Sequence, residues 1–395
     1  MLTLWARCAR VSLIAPLWLC AFAAHAATIT VNTEAVPGPT PNTPILVHTL
    51  RLTGMFEQGD SDTLRRILVL LDRRGGRAPD APLATVELSS AGGDLIEGLK
   101  TGYLFSEFDV ATVVRKRDSC LSACALAFLG GTSSHLPPTR LPSCSLEIGS
   151  TLGFHNFAAS TNALRRSLGS EDGLASERQG FHMGRAGAAL LMQYAADMDI
   201  DQAFVAQLLS RATVSYDYLT RVGAFLALRV CPIGLDRPRI SLAEQATNIC
   251  NHSTAWLSPV TSLQARPMTA RQARRRLLEY IQSNMLSFSV RGALADQLAS
   301  YSVMRVERAV ENLYADLRAA GVPLPEIVGP VFEVGGYQIG IYSLTCVVSL
   351  SPDDPDKYDV VIQGPKGMAR AYRSAPEGCR RLFLYDQDAV INPRP

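Results

Sequence analysis

Three short stretches of this sequence carry residues that can do chemistry together. Ser90-Ala91-Gly92-Gly93-Asp94 places two glycines directly before a helical pattern, where backbone N–H groups can face a ligand. Cys120-Leu121-Ser122-Ala123-Cys124-Ala125-Leu126-Ala127-Phe128 holds a lone hydroxyl among small and apolar neighbours. A serine at a helix start projects its oxygen while the next backbone N–H points the same way. Leu152-Gly153-Phe154-His155 then puts one imidazole 33 residues beyond that hydroxyl. A hydroxyl, an imidazole that can take its proton and backbone donors that meet developing charge are the parts of acyl transfer by a serine nucleophile.

Taken singly, each residue has a plainer role. A lone serine in an apolar helix bonds its own turn, a lone histidine is structural, and Gly92-Gly93 is a turn. Their joint occurrence is what points to catalysis. His135 and His182 are other bases the chain offers, but His135 sits in a Pro-rich loop and His182 in an unpatterned segment. Cys124, two residues from Ser122, offers a thiol nucleophile. It falls on a different face of the short helix, and its apolar setting argues for a buried sulfur.

The elements that must position these residues read as follows. Ile45 to Leu52 is a first strand. Asp60 to Arg74 is a helix with Leu64, Ile67, Leu68 and Leu71 on one face, capped by Ser61 or Asp62 and ended by Gly75-Gly76. Ala84 to Leu88 is a strand, Asp94 to Glu107 a helix, Ala111 to Val114 a strand and Ser122 to Leu129 a short helix. This alternation predicts an α/β fold with crossover helices over a mainly parallel sheet. Helices follow at 184–197 and 201–210. Residues 253–268, with two prolines and several Ser and Thr, mark a boundary. Beyond it, 269–283 and 303–320 are amphipathic helices, the second stopped by Gly321 and Pro323, and 331–350, 358–363 and 381–385 are β-rich, with Gly335-Gly336 as a hairpin turn.

Strand, Gly-Gly and helix, then a Ser-Ala helix, then a strand ending in an apolar-His pair: in this order the sequence resembles the ClpP protease and crotonase superfamily. It is more closely similar to exported ClpP-like proteins of bacteria that carry a Cys-x-Ser-Ala-Cys segment followed by Gly-Phe-His. The resemblance covers about residues 44–225. It implies that Ser122 is the nucleophile, that His155 is the general base, and that the N–H groups of Gly93 and Ala123 form the oxyanion hole. The family's acidic third member stands two residues before an aromatic-Leu pair. Here Ser215-Tyr216-Asp217-Tyr218-Leu219 offers Asp217, one residue before the aromatic, with Asp199 and Asp201 as substitutes. A peptide or protein substrate, no cofactor and assembly into a ring-like homo-oligomer are further implications. The rival readings are an inactive peptide-binding module using the same groove and a thioester enzyme of the crotonase type, which export argues against.

Composition frames this reading. The 395 residues are 47% hydrophobic and 19% charged, a globular balance that suggests two or three domains. Residues 1–26 read as an export signal: Arg7 and Arg10 form the basic region, Val11 to Ala24 the apolar one, and Ala24-His25-Ala26 the cleavage signature. An uncleaved anchor is the alternative, and Leu17-Trp18-Leu19 before Cys20 is too bulky for a lipobox. Without that leader 36 basic residues face 36 acidic ones, which argues against a protein held to nucleic acid by bulk charge. No later stretch approaches the length of a membrane span, so membrane contact after cleavage is not expected and a periplasmic or secreted location is. Residues 27–44 then form an extended leader, 45–252 the ClpP-like domain, 253–268 a linker and 269–395 a C-terminal helical and β-rich domain. Seven cysteines remain; Cys231–Cys250 and Cys346–Cys379 are the expected disulfides, with Cys120–Cys144 joined and Cys124 a buried thiol. Arg271, Arg274, Arg275 and Arg276 read as a solvated helix face, with anionic lipid as the sharper alternative. Asp353, Asp354 and Asp356 read as a turn between Pro352 and Pro355, and neither zinc spacing nor a nucleotide loop is present.

Overall fold

The computed structural model describes residues 27–38, 44–78, 81–136, 139–155, 173–210, 215–254, 265–285, 288–301, 307–322, 324–327, 329–339, 342–354, 356–364 and 378–393. Residues 1–26, read from the sequence as an export signal, lie outside these. Strands β1 (Thr28–Val36) and β2 (Ile45–Thr53) pair antiparallel along their whole length, so residues 28–36 of the leader are the edge of a sheet. Helix α1 (Asp60–Arg74) buries Leu64, Leu68 and Leu71, the apolar stripe read from the sequence. It leads to β3 (Ala84–Ser89), which pairs parallel to β2. Helix α2 (Leu95–Glu107) leads in turn to β4 (Val110–Val114), parallel to β3. All five residues of β4 are buried, as a strand covered on both faces requires.

Past β4 the chain forms β5 (Ser119–Leu121), the short helix α3 (Ala123–Phe128), a hairpin of β6 (Thr132–Leu136) and β7 (Thr139–Pro142), β8 (Cys144–Glu147) and β9 (Thr151–Phe154). Then come α4 (Gly173–Asp197), α5 (Gln202–Ser210), β10 (Asp217–Tyr218), α6 (Val222–Ala227) and β11 (Val230–Ile233). The main sheet runs β1-β2-β3-β4-β8-β11 and is parallel apart from β1. A second sheet, β10-β9-β5, meets it through a bridge from Ser90 to Cys120, and a further bridge from Phe56 to Gly93 links the segments that follow β2 and β3. One core of leucine, valine, phenylalanine and small residues lies between these layers and the helices. The chain is thus a mixed α/β protein with a mostly parallel sheet.

The remaining elements are α7 (Leu242–Thr254), β12 (Arg266–Met268), α8 (Ala270–Ser283), α9 (Ala293–Ala299), α10 (Glu307–Ala319), β13 (Val331–Ile339), β14 (Tyr342–Leu350) and β15 (Tyr358–Gln363). β12 to β15 make an antiparallel sheet in chain order, against which α7 buries Ala246, Ile249 and Cys250. α8, α9 and α10 close a separate core on Leu277, Ile281, Leu298, Leu313 and Leu317. Arg274 pairs with Glu311 and Arg276 with Glu333, so part of the arginine cluster is spent on neighbouring elements. The last described residues return to the first sheet. Ile391 joins the main core, Val222 N–H donates to Ala389 O and Gly223 N–H to Gln387 O. The buried Asn392 accepts from Gly149 N–H at 2.9 Å and donates to Ser150 O at 3.0 Å.

Several expectations are corrected here. Gly335-Gly336 does not turn the hairpin: β13 continues to Ile339 and absorbs the glycines as a bulge between Gly335 and Tyr337. Residues 380–384 form a single 3-10 turn and not a strand, because their apolar side chains Leu382, Phe383 and Leu384 are all buried at once. The cysteine pairing is also different. The disulfides are Cys120–Cys124, Cys231–Cys379 and Cys250–Cys346, and Cys144 is the buried free thiol. Cys144 sits on β8 between β4 and β11, with its Sγ donating to Phe128 O at 3.1 Å. Burial pushes that thiol up to about 11. Cys231 and Cys250 exchange their expected partners because the terminal segment crosses back to β11 while α7 packs on β14. Three disulfides fit an oxidising compartment, and among the described residues no helix is long and apolar enough to cross a membrane.

Candidate active site

Ser122 stands between β5 and α3 at φ 56° and ψ −123°, backbone angles that an L-residue rarely adopts. A side chain held there costs about 1–3 kcal/mol and persists only where its surroundings impose it. The cause is local. β5 pairs with β9 up to Leu121, opposite Gly153, and Ser122 N–H donates to Gly153 O at 2.9 Å, while α3 begins at the very next residue. The chain must reverse from strand to helix within one residue, which lifts the hydroxyl clear of the backbone. Helix α3 is wholly buried.

His155 follows the end of β9 and its Nε2 lies 2.7 Å from Ser122 Oγ, a hydrogen-bonded pair. Phe154 and Leu152 point into the core and anchor the strand that carries the imidazole. Gly153 faces the other way. A Cβ there would lie 2.8 Å from Leu121 Cδ2 and 3.1 Å from the Tyr218 ring, so the bare backbone lets these two side chains close over the strand.

Gly92 and Gly93 approach from the end of β3. Their φ values of 105° and 132° favour glycine. Gly92 N–H donates to the buried Ser90 Oγ at 3.1 Å. Phe56 N–H donates to Gly92 O, and Asp94 N–H donates to Phe56 O. This parallel bridge uses the groups on either side of Gly93 and turns Gly93's own N–H away from Phe56. Ala123 is the first residue of α3, and its N–H has no carbonyl one turn earlier within the helix. Asp94 caps α2 by accepting from Glu97 N–H at 2.9 Å. Glu97, 3% exposed, accepts from both Ser61 N–H and Ser61 Oγ and from Lys100 Nζ. Burial alone would raise its carboxyl. The hydrogen bonds from Lys100 and Ser61 outweigh burial and hold it at about 2.

The acidic candidates are placed differently from one another. β10 pairs antiparallel with β9, so Asp217 stands opposite Phe154 and Tyr218 opposite Gly153. The ring that meets His155 is that of Tyr216, edge to face at 4.8 Å between centroids. Asp199 forms an ion pair with Arg229, and Asp201 accepts from Ala203 N–H at 2.8 Å, so both substitutes have other work. The side chains of His135 and His182 lie outside the described residues. Tyr216 carried no role in the sequence reading. The position two residues before the aromatic-Leu pair, where the resemblance expects the acid, is Tyr216 itself, and that was the signal that could have found it. Cys124 is joined to Cys120 across Ser122, which removes it as a thiol nucleophile. Among the described residues no three His, Cys, Asp or Glu side chains converge as metal ligands would.

No protein-family model matches this chain, and no curated protein does. Among solved structures it is similar to a mutant of ClpP1 from Listeria monocytogenes, with a TM-score of 0.32 and 13% identity over 47% of this chain and 90% of that one.

Proposed function

We propose that this protein is an exported serine hydrolase of the ClpP-like type that cleaves peptides through a Ser122 acyl-enzyme. The observation that carries the reading is the 2.7 Å contact between Ser122 Oγ and His155 Nε2, made by a serine on a strained strand-to-helix turn. His155 takes the hydroxyl proton as Oγ attacks the carbonyl carbon, and returns it to the leaving amine. The N–H groups of Gly93 and Ala123 receive the oxyanion, where such donors contribute about 3 kcal/mol each. Water then cleaves the ester by the reverse use of the same groups. Asp217 is assigned as the acid that orients His155. The three disulfides support export.

The test is labelling with a fluorophosphonate, which reacts only with an activated serine. Wild type should label on the peptide containing Ser122. Ser122→Ala should not label, and His155→Ala should label at least about a hundredfold more slowly. A wild-type protein that stays unlabelled while folded overturns the hydrolase reading and favours the peptide-binding module.

A further inference from the structure

The Cys120–Cys124 disulfide closes across the turn that carries Ser122, with a sequence separation of 4. Cys120 is the middle residue of β5, fixed by its register with Leu152 and by the bridge to Ser90. Cys124 is the second residue of α3. Both are fully buried. Ser122 lies midway between them at its positive φ, and its side chain makes no helix-capping bond. Noncovalent contacts hold this turn as well. Leu121 N–H donates to Ser90 O, Ser122 N–H to Gly153 O and Leu126 N–H to Ser122 O at 3.3 Å, and Ser122 Oγ meets His155 Nε2. A helix as short as α3 has little stability of its own. The disulfide is the one covalent link, besides the chain itself, between the strand before the serine and the helix after it.

We propose that the Cys120–Cys124 disulfide positions Ser122, so that the serine becomes reactive only once the protein is oxidised. This rests on the serine-hydrolase reading above. A newly made chain in a reducing compartment would carry two thiols and a relaxed turn, and would be latent. Closure takes place by exchange with a protein dithiol oxidant in its disulfide form. Two Sγ–H bonds break, one Sγ–Sγ bond forms, and the two electrons and two protons pass to the oxidant, which leaves as a dithiol. Because both sulfurs are fully buried, folded protein presents neither to a reductant without local opening. The device is thus a single maturation step and not a reversible surface sensor. The Cys250–Cys346 disulfide joins α7 to β14 in the other sheet and serves as the internal control.

The experiment uses the full mature chain and two readings: the rate of fluorophosphonate labelling at Ser122, and amide hydrogen exchange over residues 119–126. Cys120→Ala/Cys124→Ala should label at least about tenfold more slowly than wild type, the scale expected when an imposed strained conformation is released. Its amides at 122–126 should exchange faster while those of β3 and β4 stay protected. Cys250→Ala/Cys346→Ala should label within about twofold of wild type, since it leaves the turn untouched. Wild-type exchange at 122–126 in the Cys120→Ala/Cys124→Ala protein, or wild-type labelling by it, overturns the proposal. If β3 and β4 lose protection in that variant, the same readings are taken on Cys120→Ser/Cys124→Ser, whose side chains stand closer in size to the two thiols. Oxidised wild type that fails to label defeats the hydrolase reading alone, because the exchange comparison still decides whether the disulfide sets the turn.

Discussion

Gly92 lies directly against Ser122: a Cβ built on Gly92 falls 2.6 Å from Ser122 Cβ and 3.2 Å from its Oγ. The space in front of the hydroxyl is open only because this residue has no side chain. Gly93 is equally confined, since a Cβ there would meet Phe56 O at 2.3 Å.

Gly92→Ala therefore has to displace the serine or the turn that holds it, and it adds the strain of an L-residue at φ 105°. We expect a loss of about 1–3 kcal/mol in stability and at least about a hundredfold slower fluorophosphonate labelling. Denaturant titration and labelling kinetics check both. Wild-type labelling by Gly92→Ala would show that the hydroxyl reacts from a different direction.

Asp217→Asn tests the orienting acid. If Asp217 fixes the His155 ring, the variant keeps its fold and loses about 10²–10⁴ in kcat, with KM little changed. Tyr216→Phe keeps the ring that meets His155 and should stay within about threefold of wild type, because edge-to-face contact does not need the phenol oxygen. Steady-state kinetics on any peptide ester that wild type cleaves distinguishes the two. A fully active Asp217→Asn assigns the strand-edge acid to structure alone.

Glu97 supplies a pH signature of folding. Its carboxyl is held at about 2 against an ordinary 4.5, so its contribution is complete above pH 4.5 and lost as pH falls through about 2. That contribution is at most about 3 kcal/mol, reduced by the solvent that screens Lys100. Chemical denaturation of wild type and Glu97→Gln between pH 5 and 2 should show the difference between them shrinking as acid is added. Parallel loss of stability in both proteins would mean that Glu97 titrates at its ordinary value.

Peptide mapping without reduction should find Cys231 linked to Cys379 and Cys250 linked to Cys346. The peptide with Cys120 and Cys124 should be closed on itself, and Cys144 should be alkylated only after denaturation. Removing the Cys231–Cys379 link should cost about 2–5 kcal/mol, since it closes a loop of sequence separation 148. Free thiols at these positions in exported protein would remove the support that cysteine usage lends to the compartment.

Much of the first sheet was legible because its signals are local. The 3.6-residue stripe of Leu64, Leu68 and Leu71 gives α1 its bounds of Asp60 and Arg74, and Gly92-Gly93 marks a turn where positive φ is required. Ser122 and His155 could be named as a pair because each stands at the end of an element, Ser122 just before Ala123 and His155 two residues after Gly153. The cysteine partners were not legible. Pairing depends on which distant elements pack together, and nothing near Cys231 records that residue 379 will return to it. Gly335-Gly336 misled for a related reason. Glycine serves a bulge as readily as a turn, and only the register with β14 decides between them. The contact of Tyr216 with His155 was hidden because attention fell on Asp217, the acidic residue next to it in sequence.

The returning tail has a consequence for how the protein is made. Ile391 completes the core that β2, β3 and β4 began, Asn392 ties down the loop at Gly149 and Ser150, and Cys379 locks β11. A ribosome releases these residues long after the strands they lock. The core beneath the serine therefore lacks a covalent lock and one of its side chains until synthesis has passed residue 391. An export pathway that passes unfolded chains would thus receive the chain as far as these residues before that core can set.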